Sequence, residues 1–185
     1  MPRPLAALIV PAFLALLPAG CGDDDDESSS RPAAKGGVEG TGYSFTPPEG
    51  YRDVTGKLDG SAVRIDLAYA DPEATGFATN VVVIRETPEG ELDLDDVTAQ
   101  FVGQVEDTLA TDAGVGAVED RELDGVPAKT YAFRSRQDEN GPLRQRQVVA
   151  VEDDAIYTIT WSVAADAFEE QEATLDRVLE SWRWD

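Results

Sequence analysis

The chain has 185 residues, 37 acidic and 15 basic side chains, and a formal net charge of −22 at pH 7. This length suits one domain with extensions, and a surface so negative repels phosphate backbones, which argues against nucleic acid as a partner. The sequence contains no histidine and a single cysteine, which excludes an intramolecular disulfide, nucleophilic catalysis of the Ser-His or Cys-His type and Cys/His zinc sites.

Residues 1–20 have the pattern of an export signal. Arg3 precedes an uncharged apolar stretch, Leu5 to Leu17, which is shorter than the roughly 20 residues that a membrane-spanning helix needs. Small residues then lead into Cys21, as in the lipobox of bacterial lipoproteins, although Pro18 stands where that motif prefers leucine. We expect cleavage before Cys21, lipid on this cysteine and a membrane-anchored, extracytoplasmic protein. The alternative is an ordinary secretory cleavage site followed by a chance cysteine.

Residues 21–40 predict an acidic tether. Asp23 to Glu27 are consecutive carboxylates, and Val38 is the one sizeable apolar side chain of the segment. Such a segment buries too little apolar surface to offset the entropy of ordering, so we expect disorder. A calcium site in the acidic run is the alternative, and a spacer is favoured because consecutive residues on a flexible chain cannot hold several oxygens at fixed geometry. The globular domain is expected at residues 41–185.

Three strands are predicted in the first half of the domain. Tyr43 to Phe45 alternates briefly before two prolines, and Asn80 to Glu86 contains a continuous Val/Ile run typical of a central strand. In Ala62 to Ala70 four apolar side chains alternate and should lie on one face of a half-buried strand, namely Val63, Ile65, Leu67 and Tyr69.

A helix should follow, because apolar residues recur every three or four positions from Leu94 to Leu109. Asp93 or Asp95 should cap its N-terminus, and the segment Ala113–Gly116 should end it. The alternating carboxylates at the helix start also resemble a calcium loop. The glycine position of that loop carries Asp96 and its bidentate glutamate is missing, so the capping interpretation is favoured.

Strands and a second helix are predicted after residue 116. Turn signals stand at Asp124-Gly125, Asn140–Pro142 and Asp153-Asp154. The segments between them are the strands Val118–Leu123, Ala128–Arg136, Arg144–Glu152 and Ala155–Val163, followed by a helix from about 166 to 182. Short hairpin connections imply a mainly antiparallel sheet flanked by helices, which is the α+β class.

No residue pattern points to catalysis. The sequence lacks a Ser-x-x-Lys motif and a Gly-rich phosphate loop, and carboxylate pairs carry no specificity among 37 acidic residues. We therefore expect a noncatalytic protein without a metal or cofactor. Trp161 and Trp182 are interpreted as core residues rather than ligand-binding rings, and Trp184 as the least constrained of the three tryptophans.

Four basic residues straddle one predicted hairpin, namely Arg134, Arg136, Arg144 and Arg146. Alternate positions on paired strands place such side chains on one face of a sheet. The cluster is therefore a possible surface for an anionic partner. Pairing of these arginines with neighbouring carboxylates is the alternative and the favoured interpretation.

Several segments together resemble a known superfamily. They are Tyr43–Tyr51 (YSFTPPEGY), the helix after the Val/Ile strand, Leu123–Ala128 (LDGVPA) and Leu179–Trp184 (LESWRW). Across nearly all of residues 41–185 the chain is similar to the PsbP-like α/β/α sandwich, and more narrowly to LpqN/LpqT and DcrB-type bacterial lipoproteins. The resemblance implies a sheet between helices and a noncatalytic binding, accessory or scaffold role toward an unknown protein or cell-envelope partner. The alternative function is a carrier of a small apolar or amphiphilic ligand, which would need an apolar cavity.

Overall fold

The computed structural model describes residues 37–58, 63–74, 79–108, 110–137 and 141–185, with the backbone alone at 110–113 and 136–137. Its helices are α1 (Leu94–Thr108) and α2 (Phe168–Glu180), and a short 3-10 turn spans Thr55–Leu58. Its strands are β1 (Val38–Glu39), β2 (Tyr43–Phe45), β3 (Arg52–Asp53), β4 (Ile65–Ala70), β5 (Asn80–Glu86), β6 (Ala110–Val115), β7 (Glu119–Leu123), β8 (Val126–Gln137), β9 (Gly141–Glu152), β10 (Ala155–Ala164) and β11 (Arg183–Trp184). Neither helix of these ranges is long and apolar enough to cross a bilayer.

Most strands form one antiparallel sheet, here called the main sheet. Its order is β3-β4-β5-β10-β9-β8-β6, and β7 pairs with another stretch of β8. A small antiparallel sheet has the order β1-β2-β11. α2 and the small sheet pack on one face of the main sheet, the α2 face, and α1 packs on the other, the α1 face. This layering confirms the predicted α+β fold with a mainly antiparallel sheet between helices.

The centre of the main sheet is buried on both sides. All residues from Ala155 to Val163 on β10 are buried, as are Asn80 to Ile84 on β5. The hairpin turns flanking the centre have positive φ angles of 48° at Asp124 and Asp153 and 57° at Asp154. Positive φ at the central positions suits two-residue hairpin turns, whose twist matches that of the paired strands. The turns predicted at Asp124-Gly125 and Asp153-Asp154 are thus confirmed.

Aromatic rings fill the core on the α2 face. The rings of Tyr43 and Trp182 stack with centroids 4.2 Å apart, and those of Trp161 and Phe168 pack at 5.0 Å. Each such pair contributes roughly 0.5–1.5 kcal/mol beyond the area that it buries. The core interpretation of Trp161 and Trp182 is confirmed, although Trp182 follows the end of α2 instead of lying within the helix.

Trp184 makes defined contacts near the end of the chain. Its Nε1 donates a hydrogen bond to the carbonyl of Leu123 at 2.7 Å, and its backbone N–H donates to Asp124 Oδ2 at 3.1 Å. β11 also pairs with β2, opposite Tyr43. Trp184 is nevertheless less buried than Trp161 and Trp182, which are each 0% exposed, so its burial agrees with the expectation that it is the least constrained of the three tryptophans.

The ordered fold begins before residue 41. Val38 and Glu39 form β1, in the register Val38↔Phe45, and Val38 packs against the α2-face core. The predicted boundary between tether and domain at residue 40 is therefore wrong, because Val38 and Glu39 belong to the ordered domain. β2 supplies hydrogen-bonding partners to the backbone, so one apolar side chain is enough to hold this short strand.

The apolar residues of β4 and the segment before it do not share one face. A β-bulge between Ile65 and Leu67 shifts the register against β5. An extra residue in one strand reverses which face the following side chains occupy. Val63 and Ile65 therefore pack on the α1 face, whereas Leu67 and Tyr69 pack on the α2 face. The one-sided strand predicted from alternation is wrong at this point.

The chain after α1 also differs from the expectation. α1 ends at Thr108, and β6 occupies the segment in which Ala113–Gly116 was predicted to end the helix. β6 pairs with β8 at the edge of the main sheet. Its sequence, ATDAGV, has no strand periodicity, so pairing with β8 decides its conformation. At the other end of α1, Asp93 is the cap, since its Oδ1 accepts a hydrogen bond from the Asp96 N–H at 3.0 Å.

Candidate functional site

The predicted arginine cluster lies on the α2 face of the β8–β9 hairpin. Arg134 is directly opposite Arg144 in the register of the two strands, and Arg146 is two positions further along β9. Side chains two apart on a strand point to the same face. Arg144 and Arg146 both lie over the ring of Phe168, at 3.9 Å and 5.5 Å from its centroid. The register of the two strands thus places these three residues on one face of the sheet.

Two of the arginines pair with carboxylates of α2. Arg146 contacts Glu172 at 2.5 Å, and Arg144 contacts Glu169 at 3.8 Å. These contacts support the favoured interpretation, in which the arginines pair with neighbouring acidic residues. Arg134 differs, because it is exposed and no carboxylate of the described residues lies within ion-pair distance of it. For Arg136 the structure describes the backbone, opposite Pro142.

A second candidate region is a row of buried polar side chains on the α1 face, here called the polar strip. It separates the apolar cluster under α1 from the apolar cluster on β4 and β5. Its members are uncharged and between 0% and 6% exposed, namely Gln145 and Gln147 of β9 and Thr158, Thr160 and Ser162 of β10. The sequence shows Thr158 and Thr160 alternating with Tyr157, Ile159 and Trp161, but periodicity alone does not show which side chains of β9 they meet.

Hydrogen bonds satisfy the polar atoms in the middle of the polar strip, whereas one polar atom toward each end has no partner among the described residues. Tyr131 donates its hydroxyl proton to Gln147 Oε1 at 2.5 Å, and Gln147 Nε2 donates to Thr160 Oγ1 at 3.3 Å. Gln145 Nε2 donates to Ser162 Oγ at 2.9 Å. Within the described part of the chain, Gln145 Oε1 and Thr158 Oγ1 have no partner. Buried polar atoms without partners are uncommon and destabilise the fold.

Two charged groups near this face have altered acidity. Burial raises the pKa of Glu86, whose Oε2 has no hydrogen-bond partner among the described atoms. The pKa of Lys129 is raised by its hydrogen bond to Asp120 and then by that to Asp95, at 2.6 Å and 2.7 Å. Lys129 thus joins β8 to β7 and to the start of α1.

The remaining predicted sites have different outcomes. Asp93 caps α1 and Asp95 pairs with Lys129, and the described residues include no group of three or more acidic or thiol side chains that could hold a metal ion. These contacts support capping over the calcium loop. Cys21, the apolar leader and the acidic run Asp23–Glu27 lie outside the described residues, so lipidation stays a prediction.

Solved structures share this fold. The solution structure of cyanobacterial PsbP (CyanoP) from Synechocystis sp. PCC 6803 is 20% identical, with a TM-score of 0.58, over 78% of this chain and 87% of that chain. LpqN of Mycobacterium tuberculosis, described as involved in cell envelope biogenesis, is 14% identical, with a TM-score of 0.56, over 80% and 88%. PA94 of Pseudomonas aeruginosa, a putative regulator of unknown function, is 16% identical, with a TM-score of 0.54, over 66% and 85%.

Comparison with curated proteins gave no match. A family comparison, however, matches residues 43–181 to DcrB. This range runs from β2 to the residue after α2, so it includes both faces of the main sheet. The suspected similarity to PsbP-like and DcrB-type proteins is confirmed. This chain, with its PsbP-like sandwich, belongs to the DcrB family.

Proposed function

We propose that this protein is a noncatalytic binding or scaffold protein of the cell envelope, held outside the cytoplasmic membrane by lipid on Cys21. The observation that supports it most is the DcrB match over residues 43–181, preceded in the sequence by an apolar leader and a lone cysteine. LpqN, which has the same fold, is described as involved in cell envelope biogenesis. An envelope role fits all of these observations.

The chemistry of the chain supports binding rather than catalysis. The sequence has no histidine, the residue most often used as a general base at neutral pH. The buried polar side chains of the polar strip are amides and hydroxyls, which do not ionise near neutral pH. Such groups can hold a shape or a partner by hydrogen bonds, but they cannot by themselves transfer protons efficiently at pH 7.

A carrier of an apolar ligand receives less support. Such a carrier would need an apolar cavity between the sheet and a helix. On the α2 face this space is occupied by rings, because Tyr43, Trp161, Phe168 and Trp182 are each at most 1% exposed and are packed against one another in stacked and tilted pairs. This packing supports our proposal that a partner binds on the surface of the domain.

The anchoring part of the proposal is tested by Cys21→Ser. We expect the wild-type protein to enter the membrane fraction and to incorporate an alkyne-labelled fatty acid, whereas the Cys21→Ser protein should lose the label and be found mainly outside the membrane fraction. The physical reason is that two acyl chains anchor a protein stably in a bilayer, and a mature protein without them lacks this anchor. Gly22→Ser is the matched control, because it changes the neighbouring residue and keeps the thiol.

The anchoring proposal fails if the Cys21→Ser protein fractionates and labels like the wild type. Mass spectrometry of the N-terminal peptide gives an independent reading. A mature protein that begins at residue 21 and carries acyl mass on Cys21 supports lipidation, and an unmodified thiol contradicts it.

A further inference from the structure

We propose that Arg134 and Arg144 form a clamp for one oxyanion, a carboxylate or phosphoryl group presented by a partner protein. The inference rests on the proposed binding function and names the surface and the chemistry of that binding. The two arginines face each other across the β8–β9 hairpin, on its α2 face.

The free protein places two like charges opposite each other. Arg134 and Arg144 are direct partners in the antiparallel register, so their Cβ atoms are about 5 Å apart. Like charges in this position destabilise a hairpin. An anion between the two guanidinium groups would remove the repulsion and replace it with charge-assisted hydrogen bonds.

The described neighbouring carboxylates compensate the charges of this pair weakly. Glu172 satisfies Arg146 at 2.5 Å, but Glu169 lies 3.8 Å from Arg144 and is 91% exposed, so solvent screens it strongly. No described carboxylate lies within ion-pair distance of Arg134. Among the described residues, Arg134 thus has no carboxylate partner and Arg144 has a long contact to an exposed one, so the pair can still accept an external anion.

Arg144 is already positioned for such a contact. Its guanidinium carbon lies 3.9 Å from the centroid of the buried Phe168 ring, which restricts its rotamers, and its side chain remains 30% exposed. A guanidinium fixed in this way offers its N–H fork with little loss of entropy on binding. The fork geometry matches carboxylate and phosphate oxygens.

The overall charge narrows the class of partner. A polyanion such as nucleic acid or an anionic bilayer would be repelled by the acidic surface before it reached two arginines. A single oxyanion on a protein whose surrounding surface is not strongly acidic avoids this repulsion. The proposed occupant is therefore one oxyanion on a side chain of a partner protein.

The test uses the full-length protein, inorganic phosphate and acetate as separate probes, and the variant Arg134→Gln. Arg64→Gln is the matched control, because Arg64 is also exposed and its replacement changes the net charge equally. For the wild type at constant ionic strength we expect saturable NMR shifts of the Arg134 and Arg144 Nε–H signals, and the tighter probe identifies the partner's group. Arg134→Gln should weaken binding about tenfold.

A second readout separates the clamp from a general charge effect. Without anion, Arg134→Gln should raise the Tm, because it removes the repulsion with Arg144, whereas Arg64→Gln should leave the Tm unchanged. The proposal is overturned if neither probe produces saturable shifts, if both variants bind alike, or if Arg134→Gln does not raise the Tm. Phosphate and acetate binding do not depend on Cys21, so the Cys21→Ser protein should behave as the wild type here, and the two proposals fail independently.

Discussion

Thr158 and Thr160 are two positions apart on β10 and differ in whether their hydroxyl groups have a partner. Thr160 Oγ1 accepts a hydrogen bond from Gln147 Nε2, whereas Thr158 Oγ1 has no partner among the described atoms. Both residues are buried, since Thr158 is 1% exposed and Thr160 is 6% exposed. The two threonines thus form an internal comparison for the energetic role of the polar strip.

We expect opposite effects of the same substitution at these two positions. Thr158→Val removes an unsatisfied hydroxyl and should stabilise the fold by about 1 kcal/mol, whereas Thr160→Val leaves Gln147 Nε2 unpaired and should destabilise it by roughly 1–3 kcal/mol. Urea unfolding measures both changes. Equal effects of the two substitutions would contradict the assignment of hydrogen bonds along the polar strip.

Glu86 makes stability depend on pH in a predictable direction. Burial raises its pKa above the ordinary value of 4.5, so the folded state binds a proton more tightly than the unfolded state does. Its contribution is most favourable below the unfolded pKa and is lost as the pH rises through the folded pKa. At neutral pH the ionised, partly buried carboxylate therefore weakens the fold.

Glu86→Gln should raise the Tm at pH 7, and the difference from the wild type should shrink as the pH falls through the window between 4.5 and the raised folded value. Thermal unfolding across pH 3–8 measures this difference, in the range where carboxyl groups titrate. Glu119→Gln, which removes the same charge from an exposed position of β7, is the matched control. A Tm difference that is constant with pH would contradict the assignment.

At the scale of elements, the turn between β1 and β2 is tightly packed. Gly42 has a φ of +86°, and a Cβ atom added there would lie 2.8 Å from the Tyr157 hydroxyl oxygen. That hydroxyl donates to the Thr41 carbonyl at 3.2 Å and accepts from Arg85 Nε at 3.1 Å. A side chain at Gly42 would therefore strain the turn and also disturb the contact between the small sheet and the main sheet.

Gly42→Ala should destabilise the protein more than Gly50→Ala. Gly50 has nearly the same φ, +85°, but a Cβ atom there would meet nothing within 4 Å. Both variants carry the backbone strain of a left-handed alanine, about 1 kcal/mol or more, and Gly42→Ala adds a clash. Chemical unfolding of the two variants measures the difference. Equal losses would show that the Tyr157 contact is not rigid.

The accuracy of sequence-based prediction differed between elements for a physical reason. Hairpins with Asp-Gly or Asp-Asp turns and strands with long apolar runs were placed correctly, because their local geometry and burial agree. The bulge between Ile65 and Leu67, the strand β6 and the strand β1 were missed. Each depends on pairing with a distant strand, which leaves little trace in local periodicity.

At the scale of the whole molecule, the apolar clusters lie on the two faces of the main sheet, beneath a strongly acidic chain's charged side chains. The acidic surface agrees with a net charge of −22, while the α2-face core contains stacked aromatic rings and the α1 face contains two apolar clusters divided by the polar strip. The candidate arginines lie at the boundary, where Phe168 holds Arg144 and Arg146 against α2. The hairpin spacing predicted that several of these arginines share a face, but it did not predict which carboxylate each of them contacts.

The amino-acid sequence alone determined the fold class, the main hairpins, the aromatic core and the candidate arginine face, because each of these follows from local periodicity, turn chemistry and the preference of large rings for burial. Only the tertiary structure decided which carboxylates reach Arg144 and Arg146, which hydroxyl of β10 is left without a partner, and where β1, β6 and Trp184 attach. These features arise from contacts between segments far apart in the chain. Register, bulges and helix placement set such contacts, and no local pattern encodes them.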